Sequence, residues 1–462
     1  MTLLDRLLKG SLCSALARPW FDRLALGALG RWYFPASRQW AAANAAGGEL
    51  DRFLAAFDGA HAASPHAVEA ALGTVDAALD RRRTAEKAWR DALFETSRPR
   101  RATLLDIESE RLAAADAHNR LRRLFFSTRL DPEPAMIGWQ TPSPGEIAAL
   151  FGPARTDPAG FYRLPGTLPE PEVSPAIVRN GERRYWLRFP SPSGRLGDAV
   201  TARVSEPDDA RDPPTLLWGH GLCMETEHWT LLSDGVSALT RLGFRVVAPE
   251  APWHGRRTPR GSYGGERFVA TMPLGPIDAL SGAALEWAAL IAWARAASRG
   301  AVAVGGISLG ALTAQLVAAK AQYWPAGLRP DAMLLAGHCA SLWDAEARGD
   351  LGRLWGSRAS LVAAGWSEET VAPYLVLTDP VETPVMPGER IVSLLGRRDT
   401  VTPVASGRAQ LDRWAVPEEN RFLRERGHFS LALGLMRDLA PFERLAEITV
   451  RSPSKRPRIP AC

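Results

Sequence analysis

The sequence predicts an α/β fold, in which helices cover both faces of a mostly parallel sheet, with a mainly helical region ahead of it. From about residue 175 onward, short apolar runs alternate with helical patterns. This alternation is typical of parallel strands buried between two layers of helices. Before residue 170 the apolar residues instead recur at helical spacing, as in residues 50–57 and 104–126. The chain of 462 residues is long enough for such an addition to a sheet domain.

The first part of the sheet domain predicts antiparallel pairing. Residues 184–189 and 199–204 alternate between apolar and polar side chains, which is typical of neighbouring strands with one exposed face. Further along, the strand candidates are continuously apolar, as expected for strands buried on both faces. These later candidates are residues 214–218, 244–249, 301–304, 332–336 and 389–395.

Four segments are predicted around and within this domain. Residues 1–170 form the helical region and end in a proline-rich linker, which is expected to follow the surface with one short helix at 146–151. Residues 171–445 form the sheet domain. Residues 341–388 interrupt its alternation and are expected to form a cap whose aromatic residues wall an apolar acyl pocket. Residues 446–462 are a basic tail, expected to be disordered.

The most informative motif is the Gly-Ile-Ser-Leu-Gly of residues 306–310, directly behind the strand candidate 301–304. It matches the G-x-S-x-G pattern of a nucleophile elbow, a sharp strand-to-helix turn that exposes one serine. Glycines flank the turn because backbone and helix must pack closely around it. A single match is weak in a chain with 40 glycines, and a serine also suits an ordinary helix N-cap.

Three further segments strengthen the interpretation of Ser308 as a nucleophile. The strand candidate 214–218 leads into Gly-His-Gly-Leu at 219–222, a loop suited to donating a backbone N–H to an oxyanion. Asp399 follows the strand candidate 389–395 and is the candidate acid. His428 follows Gly427 on a later loop and is the candidate base. The order serine, aspartate, histidine is the order of α/β-hydrolase triads.

Through residues 219–222, 306–310, Asp399 and 427–428, the chain resembles the α/β-hydrolase superfamily of serine hydrolases over about residues 175–445. The resemblance implies that Ser308 attacks an acyl carbon, that His428 takes its proton and that Asp399 fixes the imidazole. It also implies that the backbone N–H groups of Leu222 and Leu309 hold the oxyanion.

A second similarity to the superfamily follows the strand candidate 244–249. The residues Trp253, His254 and Gly255 look like the His-Gly loop that many of these enzymes carry. Here Arg256 and Arg257 replace the small residues usual after that loop. The sequence is therefore not assigned to any group below the superfamily.

Other residues compete for roles at the site. Asp344 and Asp379 are rivals of Asp399 as the acid, because both follow the strand candidate 332–336 and precede the next one. Three histidines also lie near predicted strand ends. We expect them to pack or hydrogen-bond within their loops rather than to react; they are His220, His254 and His338.

Composition limits the classes of partner. The formal charge of +5 and the pI near 9.2 come from arginine and are mild for this length, so no nucleic-acid partner is expected. The four cysteines have no metal-site spacing and fit reduced thiols in a cytoplasmic protein. Neither a metal nor an organic cofactor is expected. Leucines at helical spacing within residues 3–16 allow contact with a membrane surface, although packing onto the protein itself is favoured.

The expected function is therefore a serine hydrolase that cleaves a carboxylic ester or related acyl bond of a small molecule through an acyl-enzyme. An acyltransferase or a peptidase on the same triad is the alternative among enzymes. A non-catalytic binding protein with an α/β-hydrolase-like fold, making contacts through residues 1–170, is the alternative outside enzymes. The sequence leaves the acyl group and the oligomeric state open.

Overall fold

The structure is a computed structural model that describes residues 17–95, 101–224, 238–435 and 437–450. The leucine stripe of residues 3–16 and the tail from residue 451 lie outside the described residues. The strands, numbered in chain order, are β1 (His61–Ala62), β2 (Leu130–Asp131), β3 (Glu172–Val173), β4 (Ile177–Arg179), β5 (Glu182–Pro190), β6 (Ala199–Pro207), β7 (Thr215–Gly219), β8 (Arg245–Pro249), β9 (Val302–Ile307), β10 (Ala332–Ala336), β11 (Ile391–Gly396) and β12 (Arg421–Arg424).

One ten-stranded sheet organises the molecule. Its order is β12-β11-β10-β9-β7-β8-β6-β5-β3, with β4 also paired to β5. The strands from β12 to β8 are parallel, whereas the pairs on the other side of β8 are antiparallel. The carboxyl ends of the six parallel strands therefore meet at one edge, where open α/β sheets bind their ligands.

Helices cover both faces of this sheet. Successive side chains of its strands point in opposite directions, so neighbouring residues belong to different core clusters. One face joins the larger core cluster, through residues that include Leu217, Val247, Val304, Leu335 and Leu395. The residues next to them join the second core cluster, and they include Leu216, Val246, Ala303, Leu334 and Leu394. The predicted fold class, an α/β fold of the α/β-hydrolase type, is confirmed.

The helices fall into four groups along the chain. The N-terminal region contains Pro19–Ala28, Phe34–Ala46, Leu50–Leu54, Pro65–Phe94 and Arg101–Arg120, and Pro144–Thr156 and Pro158–Phe161 follow it. The middle of the sheet domain contributes Glu266–Ala270, Leu274–Ala297 and Leu309–Lys320. The segment after β10 holds Asp350–Trp355, Ser357–Ala363 and Glu368–Val371. The C-terminal helices are Val404–Arg413, His428–Leu435 and Ala440–Val450.

Most residues of the proline-rich stretch are exposed or half-buried, but a few buried side chains anchor it to the core. Ile147, Phe151 and Tyr162 are at most 1% exposed and belong to the larger core cluster. The Tyr162 hydroxyl donates to the carbonyl of Leu377 at 2.6 Å, and the Trp324 indole N–H donates to the carbonyl of Tyr162 at 2.9 Å. The stretch therefore packs between the sheet domain and the segment after β10.

Two boundaries also differ from the sequence expectation. The strand candidate that began at residue 389 begins at Ile391, because Gly388–Arg390 form a tight helical turn. The last helix continues to Val450, beyond the expected domain end at 445.

Among the described helices, Leu274–Ala297 is long and apolar enough to cross a membrane. It is mostly buried against the sheet, as core helices of the same length and composition are.

Candidate active site

The strand β9 ends in the turn that carries Ser308. The backbone of Ser308 has φ 56°, which side-chain-bearing residues rarely adopt, and its N–H donates to the carbonyl of Ala336 at 3.0 Å. The helix Leu309–Lys320 begins at the next residue. A Cβ on Gly306 would stand 2.4 Å from the carbonyl carbon of Gly310, so the turn has no room for a larger residue there. The motif therefore has the strained geometry of a nucleophile elbow.

His428 lies between Ser308 and Asp399, the other two residues predicted for the triad. Its Nε2 is 3.0 Å from the Oγ of Ser308, and its Nδ1 is 2.8 Å from Oδ2 of Asp399. All three residues follow carboxyl ends of parallel strands, namely β9, β11 and β12. The arrangement allows the imidazole to take the Ser308 proton while its other nitrogen donates to a carboxylate.

The carboxylate of Asp399 is held by its own loop. Oδ1 accepts from the backbone N–H groups of Val401 and Thr402, both at 2.9 Å. Oδ2 accepts from the hydroxyl of Thr402 at 2.8 Å, and that hydroxyl oxygen is 3.2 Å from Nδ1 of His428. Asp399 is only 4% exposed. The hydrogen bonds compensate for burying the charge and fix the orientation of Oδ2 toward the imidazole.

Two opposing effects act on the pKa of His428. Burial disfavours the imidazolium, but the charge of Asp399, its hydrogen bond and the charge of Asp22 outweigh burial and raise the pKa above its ordinary value. A raised pKa suits a base that must hold a proton during part of a reaction cycle.

The two rival carboxylates do not contact the imidazole. Asp344 accepts from the hydroxyl of Ser406 at 2.6 Å and pairs with Arg348 at 2.8 Å. Asp379 accepts from the backbone N–H of Leu342 at 2.9 Å. Burial raises the pKa of Asp379 to about 6 against the hydrogen bonds that lower it. Of the three candidates, the structure brings Asp399 alone to His428.

The loop after β7 passes beside Ser308, since a Cβ on Gly221 would lie 3.6 Å from the Cβ of Ser308. The next residue is Leu222, whose backbone N–H was predicted as an oxyanion donor. Leu309, whose N–H is the other predicted donor, is the first residue of a helix. Its N–H therefore has no acceptor within that helix. The backbone N–H of Cys223 is already engaged, because it donates to Nε2 of His254 at 3.2 Å.

Two histidines hold this loop. Nε2 of His220 accepts from the N–H of Ala251 at 3.2 Å, while its Nδ1 is 2.8 Å from the carbonyl of Gly221. Nδ1 of His254 is 2.9 Å from the carbonyl of Pro252. Burial lowers the pKa of His220 against the hydrogen bond to Gly221. Both rings therefore connect the loops after β7 and β8, as expected of residues that shape loops.

His338, the third histidine, lies on the loop after β10, with Nε2 2.8 Å from the hydroxyl of Ser393. Burial lowers its pKa to about 4, although Asp399 acts in the opposite direction. His338 is thus uncharged at neutral pH and does not hydrogen-bond to the proposed triad.

The two arginines after the His-Gly loop connect it to other parts of the chain. Arg256 pairs with Glu86 of the N-terminal helix Pro65–Phe94 and with Glu250, and it stacks on Trp89 at 4.4 Å from the ring centroid. Arg257 is buried and pairs with Glu286 at 2.6 Å and with Asp198 at 2.7 Å. The replacement of small residues by arginines therefore ties the His254 loop to the N-terminal region.

An apolar cavity lies between the segment 341–388 and the start of the helix Leu274–Ala297. Its lining includes Met272, Ile277, Leu361 and Tyr374, together with the carboxyl-bearing Glu346. Of the aromatic residues expected to wall a pocket, Trp343 and Tyr374 do line it. Trp355 instead packs against Phe34, and Trp366 donates to the carbonyl of Pro142. A cap function for this segment stays a prediction.

Within the described ranges, no cluster of three or more His, Cys, Asp or Glu side chains is arranged to hold a metal ion. Sequence reasoning missed Thr402, although its position three residues after Asp399 is a known pattern of local side-chain bonding. It also missed Asp22, which no local pattern connects to His428.

Comparisons with known proteins give distant structural similarities. No family model and no curated protein matches the sequence. A cold-adapted esterase from an Arctic intertidal metagenomic library is 16% identical with a TM-score of 0.38, over 58% of this chain and 96% of that one. Acetyl xylan esterase 1 from Thermoanaerobacterium sp. JW/SL YS485 is 16% identical with a TM-score of 0.42, over 65% and 95%.

An S-formylglutathione hydrolase from Agrobacterium tumefaciens is 17% identical with a TM-score of 0.40, over 60% of this chain and 99% of that one. At these identities and scores the similarities carry no argument about activity. The fold assignment therefore depends on the sheet order and on the turn at Ser308.

Proposed function

We propose that this protein is an esterase-like serine hydrolase, which cleaves a carboxylic ester or a related acyl bond of a small molecule through an acyl-enzyme. One observation carries the proposal: Ser308, His428 and Asp399 form a continuous hydrogen-bonded chain at 3.0 and 2.8 Å. A binding protein has no need of these three residue types at three strand ends on one edge of the sheet.

In the proposed reaction, Oγ of Ser308 attacks the acyl carbon while Nε2 of His428 takes the hydroxyl proton. The carbonyl oxygen becomes an anion beside the N–H groups of Leu222 and Leu309. Collapse of this intermediate breaks the bond to the leaving alcohol, which receives the proton from His428. Water then attacks the acyl-enzyme with His428 as base, and the acid and free Ser308 are released.

The first test is labelling of the purified protein by a fluorophosphonate, which reacts with activated serines. We expect the wild type to label, and Ser308→Ala and His428→Ala to lose labelling. Asp399→Asn should reduce the labelling rate by about 10⁴-fold, the loss known for the corresponding change in a serine-protease triad. His66→Ala, which removes an exposed side chain paired with Glu69, serves as the control and should label at the wild-type rate.

A folded wild type that does not label would reject the hydrolase and favour the binding-protein alternative. If labelling occurs, p-nitrophenyl esters of increasing chain length identify the acyl preference. An added alcohol or amine that competes with water for the acyl group would assign the chain to the acyltransferases instead. Cleavage of peptide but not ester substrates would assign it to the peptidases.

A further inference from the structure

The helix His428–Leu435 is capped by a residue from the other end of the chain. The carboxylate of Asp22 accepts from the backbone N–H of Phe429 at 2.6 Å and of Ser430 at 3.3 Å. Its second oxygen accepts from the hydroxyl of Ser430 at 2.5 Å, across 408 residues of sequence. The first amides of a helix have no partners within the helix, and a carboxylate there satisfies them and complements the helix dipole.

The carboxylate of Asp22 makes the most deeply buried contact of its helix. Of the helix Pro19–Ala28, Asp22 is the one buried residue, at 7% exposure. Trp20 and Leu24 on the same helix are 42% and 63% exposed. A helix normally buries an apolar stripe, but here the apolar residues are half-buried or exposed, so the acid supplies a specific contact in addition to packing.

The residue before His428 is adapted to this contact. A helix usually receives its cap from the side chain of its own N-cap residue, but here that residue is Gly427. A Cβ on Gly427 would stand 2.4 Å from Cγ of Asp22. The glycine thus leaves the capping position open, and Asp22 fills it.

We propose that Asp22 is a positioning residue for the reaction, whose carboxylate fixes the start of the His428 helix and thereby holds the imidazole between Ser308 and Asp399. This inference rests on the proposed function of the triad. His428 is itself the first residue of the capped helix, and the next two residues supply the capped amides. Loss of the cap would therefore loosen the turn that carries the imidazole.

The carboxylate of Asp22 also favours the protonated form of the His428 imidazole. The charged groups that raise the pKa of His428 are Asp399, from the loop after β11, and Asp22, from the helix Pro19–Ala28. His338, from the neighbouring loop after β10, is uncharged at neutral pH. The positive end of the helix disfavours an imidazolium at its first turn, and the carboxylate of Asp22 offsets this effect.

Two variants separate geometry from charge. Asp22→Asn keeps an oxygen for the backbone N–H of Phe429 and an amide that can donate to the Ser430 hydroxyl, but it removes the charge. Asp22→Ala removes both. Asp51→Asn, on the exposed face of the helix Leu50–Leu54, removes one charge from the same N-terminal region and is the matched control.

The direct measurement is the pKa of His428 by NMR of the full chain with ¹³C-labelled histidine, its signal identified by its loss in His428→Gln. We expect a lower pKa of His428 in Asp22→Asn and the wild-type value in Asp51→Asn. In the pH profile of the fluorophosphonate labelling rate, the fall on the acid side should move to lower pH in Asp22→Asn. In Asp22→Ala the plateau rate should also fall by roughly ten- to a hundredfold, because small displacements of a reacting group cost about this much.

The results distinguish this inference from the function on which it rests. A wild type that labels, together with Asp22 variants whose His428 pKa and plateau rate match the wild type, overturns the role of Asp22. A wild type that does not label overturns the proposed function, while the NMR titration still decides whether Asp22 acts on His428. If Asp22→Ala does not fold, Asp22→Asn still tests the effect of the charge, and a wild-type pKa of His428 in that variant overturns the inference.

Discussion

Gly310 of the elbow helix lies directly against Gly219 at the end of β7, since a Cβ on Gly310 would stand 2.1 Å from the carbonyl oxygen of Gly219. The same Cβ would stand 2.7 Å from the Cα of Gly219. Two backbones in contact leave no flexible side chain to move aside. This contact sets the distance between the helix that begins behind Ser308 and the loop that follows Gly219.

We predict that Gly310→Ala destabilises the protein by about 3 kcal/mol or prevents folding, because overpacking here must displace backbone. Urea unfolding at equilibrium measures the change. The control is Gly73→Ala, in the middle of the exposed side of the helix Pro65–Phe94, where a Cβ meets nothing within 4 Å. It should stabilise by roughly 0.5–1 kcal/mol, as alanine does over glycine in helices. Equal stability of the two variants would contradict the close contact at Gly219.

Thr402 supports the orientation of Asp399 through a hydroxyl 2.8 Å from Oδ2. We expect Thr402→Val to lower kcat/KM for an ester substrate by roughly ten- to a hundredfold, since one hydrogen bond to a charged group contributes about 1.5–3 kcal/mol. Thr402→Ser keeps the hydroxyl and should retain most of the activity. A similar loss of activity in both variants would show that the methyl group, not the hydroxyl, is needed.

Arg256 connects the N-terminal region to the His254 loop. We predict that Arg256→Met destabilises the protein by about 3–5 kcal/mol, because Glu250 would keep a buried charge without this partner. Arg83→Met, which breaks an exposed pair with Asp80, should change stability by at most about 1 kcal/mol. Chemical denaturation measures both variants. A small effect at Arg256 would mean that the two regions are held together without this pair.

Glu346 gives stability a defined pH dependence. Burial raises its pKa to about 7, although the hydrogen bond from Ser357 acts in the opposite direction. A raised folded pKa stabilises the protein below pH 4.5, and this stability is lost as pH rises toward 7. Relative to wild type, Glu346→Gln should therefore gain about 3 kcal/mol between pH 4 and pH 8. Unfolding free energies at both pH values test this, and a constant difference would contradict it.

Titration of His338 is expected to give the opposite dependence of stability on pH. Its folded pKa of about 4 lies below the ordinary value, so the unfolded chain binds the extra proton between pH 6.5 and 4. The wild type should lose about 3 kcal/mol through this group as pH falls across that range. His338→Gln removes this dependence, so its stability relative to wild type should improve toward pH 4. If the stability difference between the variant and the wild type stays constant with pH, the ring of His338 is solvated.

The local parts of the site could be predicted from sequence, because each depends on a short motif at the end of a strand. Ser308 and Asp399 follow apolar runs that are long enough to be recognised as buried strands, whereas His428 is recognised by its Gly-His pair, because β12 before it is short and half-buried. The parallel arrangement of those strands then brings their ends together. The catalytic role of the three residues stays a prediction until labelling tests it.

The contacts of the N-terminal region could not be predicted in this way. Asp22 and Glu86 are acidic residues on helices, and nothing near them in sequence identifies their partners at Ser430 and Arg256. The buried anchors of the proline-rich stretch were missed for a related reason. Prolines report the local backbone path, whereas the burial of Tyr162 depends on which distant segment covers it.

The capping of the helix His428–Leu435 by Asp22 also sets an order of folding steps during synthesis. The partners of the Asp22 carboxylate are residues 429 and 430, which leave the ribosome hundreds of residues after the helix Pro19–Ala28. Chains fold as they emerge from their N-terminus, so the acid of this helix has no site until the chain 408 residues further on has been made. Docking of the helix Pro19–Ala28 therefore waits for that segment, and a chain interrupted before Ser430 cannot complete it.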